Sequence, residues 1–166
     1  DLERKITSAS KVILIVHIYG HPVDMDPVCD LARSRNLKIV EDAAEAHGAL
    51  YKGRKAGSLG DVGCFSFYAN KIITTGEGGM VVSNDAALIN KARRLKDLAH
   101  GKIRFTHDLP EAFNYRMTNI QAAIGLGQLE RIEDTIGKKI QNAEQYTRLL
   151  KDVSTLMLPV CRPWAR

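Results

Sequence analysis

The 166-residue chain has only three cysteines, Cys29, Cys64 and Cys161, widely spaced and with no C-x-x-C pair. This argues against a disulfide framework and against a zinc or iron–sulfur ligand set. The expectation is reduced thiols in the cytoplasm, with Cys64 as a small buried hydrophobe. Long apolar runs are missing too. The longest, VILIV at 12–16, cannot span a bilayer, and no secretory signal opens the chain. There is no dense Lys/Arg run and no interleaved aromatic ladder, which argues against nucleic acid as a partner. GEGG at 76–79 lacks the P-loop pattern. GLGQLE at 125–130 sits inside a helical pattern, without a preceding strand or a third glycine. Neither G-x-S-x-G nor H-E-x-x-H occurs.

What is present is ordinary for a globular chain: 45% hydrophobic and 26% charged residues, in a length that suits one domain with a real core. The net charge of +5 is unevenly placed. Residues 1–83 carry ten Lys/Arg and ten Asp/Glu, whereas residues 84–166 carry fourteen and nine. A solvated helical surface accounts for this excess; an anionic partner such as a phosphorylated ligand is the sharper alternative.

KVILIVHIYG (11–20) is an apolar, β-branched run that predicts a strand buried on both faces, as in a parallel sheet. DMDPVCDLARSRN (24–36) predicts a helix, with Asp26 as its cap and Pro27 in its first turn. LKIVEDAA (37–44) predicts a second buried strand, completing a βαβ unit. VGCFSFY (62–68) and GGMVVSN (78–84) predict two more strands, and Asp85 opens a helix over 85–99. In TNIQAAIGLGQLERIEDTIG (118–137), Thr118 and Gln121 form a capping box. Ile120, Ile124, Leu126 and Leu129 do not make one narrow stripe, so this helix is expected to be buried on more than one side. A last helix is expected from about 136 to 151. The fold class is α/β, with a mostly parallel sheet and flanking helices.

In such sheets ligands bind beyond the carboxyl ends of the strands. His17 and Tyr19 end the first strand, Asp42 and Glu45 the second, and Ser66, Asn70 and Lys71 follow the third. No other lysine occurs between Ala56 and Asn90. A desolvated lysine amine can form a Schiff base with a carbonyl. Pyridoxal phosphate requires such a lysine, a carboxylate for its ring nitrogen and donors for its phosphate. Taken alone, Lys71 also fits a surface residue, and Asp42 a helix cap or turn residue.

Three stretches alter that balance: VHIYGHPVDMDPV (16–28), EDAAEAHGALYKGRKAGSLGDVGCFSFYANKIITTGEGGMVVSND (41–85) and FNYRMTNIQAAIGLGQLERI (113–132). In order and spacing they resemble the DegT/StrS family of pyridoxal-phosphate-dependent sugar aminotransferases. ANKIITTGEGG is most similar to members that aminate a 4-keto-6-deoxy sugar nucleotide, the perosamine-synthase type. The resemblance implies the large domain of a fold-type-I transferase over residues 1–153, with 154–166 starting a connector to a small domain. It implies Lys71 as the Schiff-base lysine and catalytic residue. Cofactor binding would fall to Asp42 at the ring nitrogen, Ala44 on the ring face, Glu45 near the ring hydroxyl and Ser66 at the phosphate. Asn114 would reach the cofactor phosphate of a neighbouring subunit, which implies a homodimer with a shared active site. Arg116 belongs to the same motif. His17 and Tyr19 are read as structural, and Glu77 with Gly78–Gly79 as shaping a turn. The implied substrates are glutamate and a nucleotide-linked keto sugar. Lys71 also separates the chain from relatives that remove an oxygen from C3 and carry histidine at this position. The family's N-terminal glycine–threonine turn, its ring-stacking aromatic and its C-terminal small domain do not appear in these residues. A truncated, self-associating chain without turnover is therefore the alternative expectation.

Overall fold

The computed structural model describes residues 1–100 and 111–166. After a single helical turn, α1 (Leu2–Lys5), the apolar run forms β1 (Val12–Val16), followed by a short 3₁₀ turn over Ile18–Gly20. Helix α2 (Met25–Ser34) crosses back to β2 (Lys38–Asp42), and a small hairpin, β3 (Leu50–Tyr51) and β4 (Arg54–Lys55), precedes β5 (Val62–Ser66) and β6 (Gly79–Val82). After β6 the described residues form three helices, α3 (Ala86–Leu95), α4 (Asn119–Leu129) and α5 (Ile132–Leu150). The main sheet has the order β1-β2-β5-β6; β1, β2 and β5 are parallel, and β6 joins the edge antiparallel to β5. In register Val16 lies beside Asp42, and Asp42 beside Cys64, so β1 and β2 finish together and β5 runs two residues further to Ser66.

Side chains alternate across a strand, and among the described residues only one face of β1 is covered. Ile13, Ile15 and Ile39 point towards α2, where Met25, Val28 and Ala32 complete the core with Leu37 and Tyr51. The other face of β1 is open: Val12, Leu14 and Val16 are 52, 66 and 41% exposed. The expectation of a strand buried on both faces is thus corrected. Apolar content alone does not say whether a second layer packs on a sheet, and among the described residues none covers this face.

Three local expectations also change. Asp24, not Asp26, is the N-cap of α2, and its side chain makes no capping bond. The buried Tyr51 hydroxyl takes the capping role instead, accepting from the Asp26 amide and donating to Asp24, while the Asp26 carboxylate pairs with Lys52. The last helix begins at Ile132 rather than near 136, because Gly137 costs an α-helix only about 1 kcal/mol and does not end it. Helix α4 is not buried on several sides. Ile120, Ile124, Leu126 and Leu129 are each more than half exposed, and α4 docks instead through polar side chains. The capping box at Thr118 and Gln121 and the cap at Asp85 form as expected. The β3–β4 hairpin was not expected. Its Lys52–Gly53 turn has φ of 47° and 81°, the left-handed pair that suits a two-residue hairpin.

The segment after α5 folds back onto this hairpin. Ala165 bridges Tyr51, Leu50 and Arg166 exchange backbone hydrogen bonds, and the Trp164 indole donates to the Pro22 carbonyl. No helix among the described residues is long and apolar enough to cross a membrane.

Candidate active site

The strand ends converge because the parallel ladder continues past the strands themselves. The His17 amide donates to the Asp42 carbonyl and the Ala43 amide to the Cys64 carbonyl. Under this edge lies a buried hub. Glu41 alternates with Ile39 and therefore points inward; it is fully buried. One oxygen accepts from His17 Nε2 at 2.9 Å and the Gly57 amide at 2.7 Å, the other from the Leu59 and Gly60 amides at 2.6 and 2.5 Å. His17 Nδ1 accepts from the Val23 amide, so Nε2 must carry the proton it gives to Glu41. Burial pushes the Glu41 carboxyl up, but His17 and the three amides outweigh it and hold the group below the ordinary glutamate value. The structural reading of His17 agrees with this geometry. Glu41 was missed by the sequence reading, although an acid in phase with Ile39 on an apolar strand was a usable signal.

Above the hub, Asp42 accepts from the Ala44 amide at 3.0 Å through one oxygen. Its other oxygen has no hydrogen bond among the described residues. Ser66 ends β5, and its hydroxyl accepts from the Tyr68 amide at 3.2 Å, leaving its proton free to donate. Between β5 and β6 runs the loop that carries Lys71. Phe67 closes it by pairing with the Gly78 carbonyl and the Thr75 amide, and buried Ile73 and Thr75 anchor it. Helix α4 then clamps the loop from outside. Gln128 donates to the Thr74 carbonyl at 2.7 Å and accepts from the Thr74 amide at 3.1 Å, while Gln121 donates to the Glu77 carbonyl. The sequence reading named Gln121 only for the capping box and did not identify Gln128.

The loop delivers Lys71 to the strand ends. Its side chain is 18% exposed, and Nζ lies 3.3 Å from Glu45 Oε1. Glu45 Oε2 accepts from the Tyr19 amide at 2.9 Å. Those two contacts, the Tyr19 amide first, hold the Glu45 carboxyl below its ordinary value. Tyr19 acts through its backbone amide, and the residue is 90% exposed. His47 lies beneath, 8% exposed, with its ring tilted against Phe65 and Phe67. No hydrogen bond of good geometry reaches either ring nitrogen. Burial pushes its pKa down and the Lys71 charge adds to that, with only the nearby Ser66 backbone opposing. Burial likewise pushes the half-buried Cys64 thiol up.

Asp42, Ala44, Glu45, Ser66 and Lys71 thus share one edge, on neighbouring strands and the loops that follow them. Asn114 does not join them. It is exposed and bridges Asp97, which also pairs with Arg116.

A lysine on the loop after β5, with a carboxylate and a free hydroxyl at neighbouring strand ends, agrees with a sequence profile that matches residues 1–166, the DegT/DnrJ/EryC1/StrS aminotransferase family. The chain belongs to this family. It is 50% identical over 149 residues to the GDP-perosamine synthase of Escherichia coli O157:H7, covering 89% of this chain and 41% of that protein. It spans about two fifths of the length of the curated relatives it matches. Among solved structures it is similar to S. venezuelae DesV in complex with a ketimine intermediate, with a TM-score of 0.92 and 36% identity over 99% of this chain and 44% of that one. It is also similar to E. coli GDP-4-keto-6-deoxy-D-mannose-3-dehydratase with bound hydrated PLP, with a TM-score of 0.82 and 27% identity over 91% of this chain and 43% of that one. The mostly parallel sheet with flanking helices is the large-domain architecture of these family members.

Proposed function

We propose that this DegT/DnrJ/EryC1/StrS family chain carries the cofactor-binding part of a pyridoxal-phosphate-dependent aminotransferase. In this reading it transfers the amino group of glutamate to a nucleotide-linked 4-keto-6-deoxy sugar. The observation that carries the reading is the half-buried Lys71 amine on the loop that follows β5, with Asp42 and Ser66 at the neighbouring strand ends, in a chain half identical to a GDP-perosamine synthase.

The donor set suits the cofactor. Asp42 has an unoccupied carboxylate oxygen for a protonated ring nitrogen, Ala44 offers a methyl-sized surface for a ring face, and Ser66 has a hydroxyl proton for a phosphate oxygen. Glu45 would sit near the ring hydroxyl. Bound there, pyridoxal phosphate supplies an electron sink that makes the α-proton of an amino acid removable. Lys71 Nζ then does the proton work: it takes the α-proton of the donor and, in the second half of the cycle, returns a proton to the sugar carbon that receives nitrogen. The Asp42 charge offsets the positive charge held on the ring throughout. Asn114 lies apart from the cluster, which is compatible with a second copy of the chain receiving it at a shared site.

The test is amino transfer itself. The protein is mixed with pyridoxal phosphate, glutamate and a GDP-linked 4-keto-6-deoxy hexose, and 2-oxoglutarate and the amino sugar are followed by mass spectrometry. Equimolar formation of both, abolished in Lys71→Ala, supports the reading. 2-Oxoglutarate at equal rates in wild type and Lys71→Ala overturns it.

A further inference from the structure

Glu45 holds two partners with one carboxylate. One oxygen takes the Tyr19 amide and the other the Lys71 amine. The first contact fixes the carboxylate. Tyr19 has φ 50° and ψ 28°, a left-handed conformation that a tyrosine keeps only where its surroundings enforce it, and this conformation accompanies an amide that points at Glu45. The lysine end is fixed as well. The Lys71 amide donates to the Tyr68 carbonyl, and Gln128 ties the same loop to α4. Lys55, Lys139 and Arg166 also line the adjoining cavity, and of these Lys55 pairs with Glu133. The pair is therefore formed by two anchored backbones rather than by two mobile surface side chains.

We infer that Glu45 is a positioning residue for Lys71, a parking site that grips the lysine amine whenever that amine is not covalently engaged and withholds it from other electrophiles. This rests on reading Lys71 as the nucleophile of the site. The grip is weak by design of its surroundings. Glu45 is solvent-accessible, and ion pairs of this exposure hold their partners by a factor of about 2–5. That suffices to bias where the amine rests without blocking its release to a ligand that competes for it.

The test uses the cofactor-free protein and neutral reagents, so that reagent charge plays no part. Reductive methylation with formaldehyde and dimethylamine-borane is quantified peptide by peptide, with the exposed Lys138 and Lys139 as internal references. Glu45→Gln keeps an oxygen for the Tyr19 amide and removes the charge. It is expected to speed methylation of Lys71 about 2–5-fold relative to the references. In wild type, raising NaCl from about 0.02 to 0.5 M is expected to speed Lys71 relative to the references, because screening loosens the pair; in Glu45→Gln that relative rate is expected not to change. Equal Lys71 rates in the two proteins, or no salt effect in wild type, overturns the inference. The salt arm stands on wild type even where the variant folds poorly. A separate borohydride reduction with pyridoxal phosphate distinguishes the two readings. A methylation difference without pyridoxyl on Lys71 keeps the parking site and removes the cofactor reading; pyridoxyl on Lys71 with equal methylation does the reverse.

Discussion

Replacing Glu41 by glutamine tests whether the buried hub holds the strand ends in place. All four groups on this carboxylate are donors: His17 Nε2 and the amides of Gly57, Leu59 and Gly60, two on each oxygen. His17 cannot change tautomer to help, because Nδ1 is committed to the Val23 amide. Whichever oxygen becomes an NH₂ therefore faces two donors. Leaving two buried donors unsatisfied costs about 1–3 kcal/mol each. Burying a neutral amide in place of a charge returns part of this, so the expected net loss is roughly 2–4 kcal/mol, a large share of the ~5–15 kcal/mol of a folded domain. The assay is urea unfolding, followed by circular dichroism and by the fluorescence of Trp164, which packs at Pro22. A lower midpoint at unchanged slope is the expected result. The pH dependence carries a second signature. Because the folded-state pKa of Glu41 lies below its ordinary value of 4.5, its stabilisation is full above pH 4.5 and is lost as pH falls through the folded value. Glu41→Gln removes that acid limb. A variant within ~0.5 kcal/mol of wild type at pH 7 refutes the reasoning.

Three further outcomes follow from the same geometry. The folded-state pKa of His47 is depressed below the ordinary 6.5, so the unfolded chain binds the extra proton; stability falls as pH drops below 6.5 towards the folded value, and His47→Gln flattens the Tm-against-pH slope between pH 7 and 5.5. Gln128→Ala removes both side-chain bonds to Thr74, so hydrogen exchange of the Thr74 amide is expected to quicken roughly tenfold, the equivalent of about 1.4 kcal/mol, while exchange in α2 is unchanged. The open face of β1 is expected to drive self-association, and Leu14→Lys, at a position 66% exposed, lowers the sedimentation coefficient without lowering Tm.

The elements that carry the site are legible because their signals are local. The β-branched run at 12–16, the acid that ends 38–42 and the side-chain caps at Asp85 and Thr118 depend on neighbours within a few residues. What is not legible depends on residues far apart. The antiparallel direction of β6 follows from how the Lys71 loop returns, and nothing in GGMVV records it. Glu41 reads as one acid among nineteen until the turn at 57–60 closes over it. The apolar residues of α4 look like core, yet the helix is held by Gln121 and Gln128, whose partners are backbone groups some 44 and 54 residues away. Tyr19 gives no sign of its left-handed backbone beyond the glycine that follows it. Placing Lys71 and Asp42 on one edge needs only strand order; placing the Lys71 amine against Glu45 needs the fold.

The central claim is that Lys71 is the nucleophile of this edge. Its most direct measurement is borohydride reduction of the protein mixed with pyridoxal phosphate, followed by peptide mapping. The account predicts one dominant pyridoxyl-lysine at Lys71, absent from Lys71→Ala and weakened in Asp42→Ala. Label spread evenly over surface lysines, with Lys71 no more modified than Lys138 or Lys139, would contradict it.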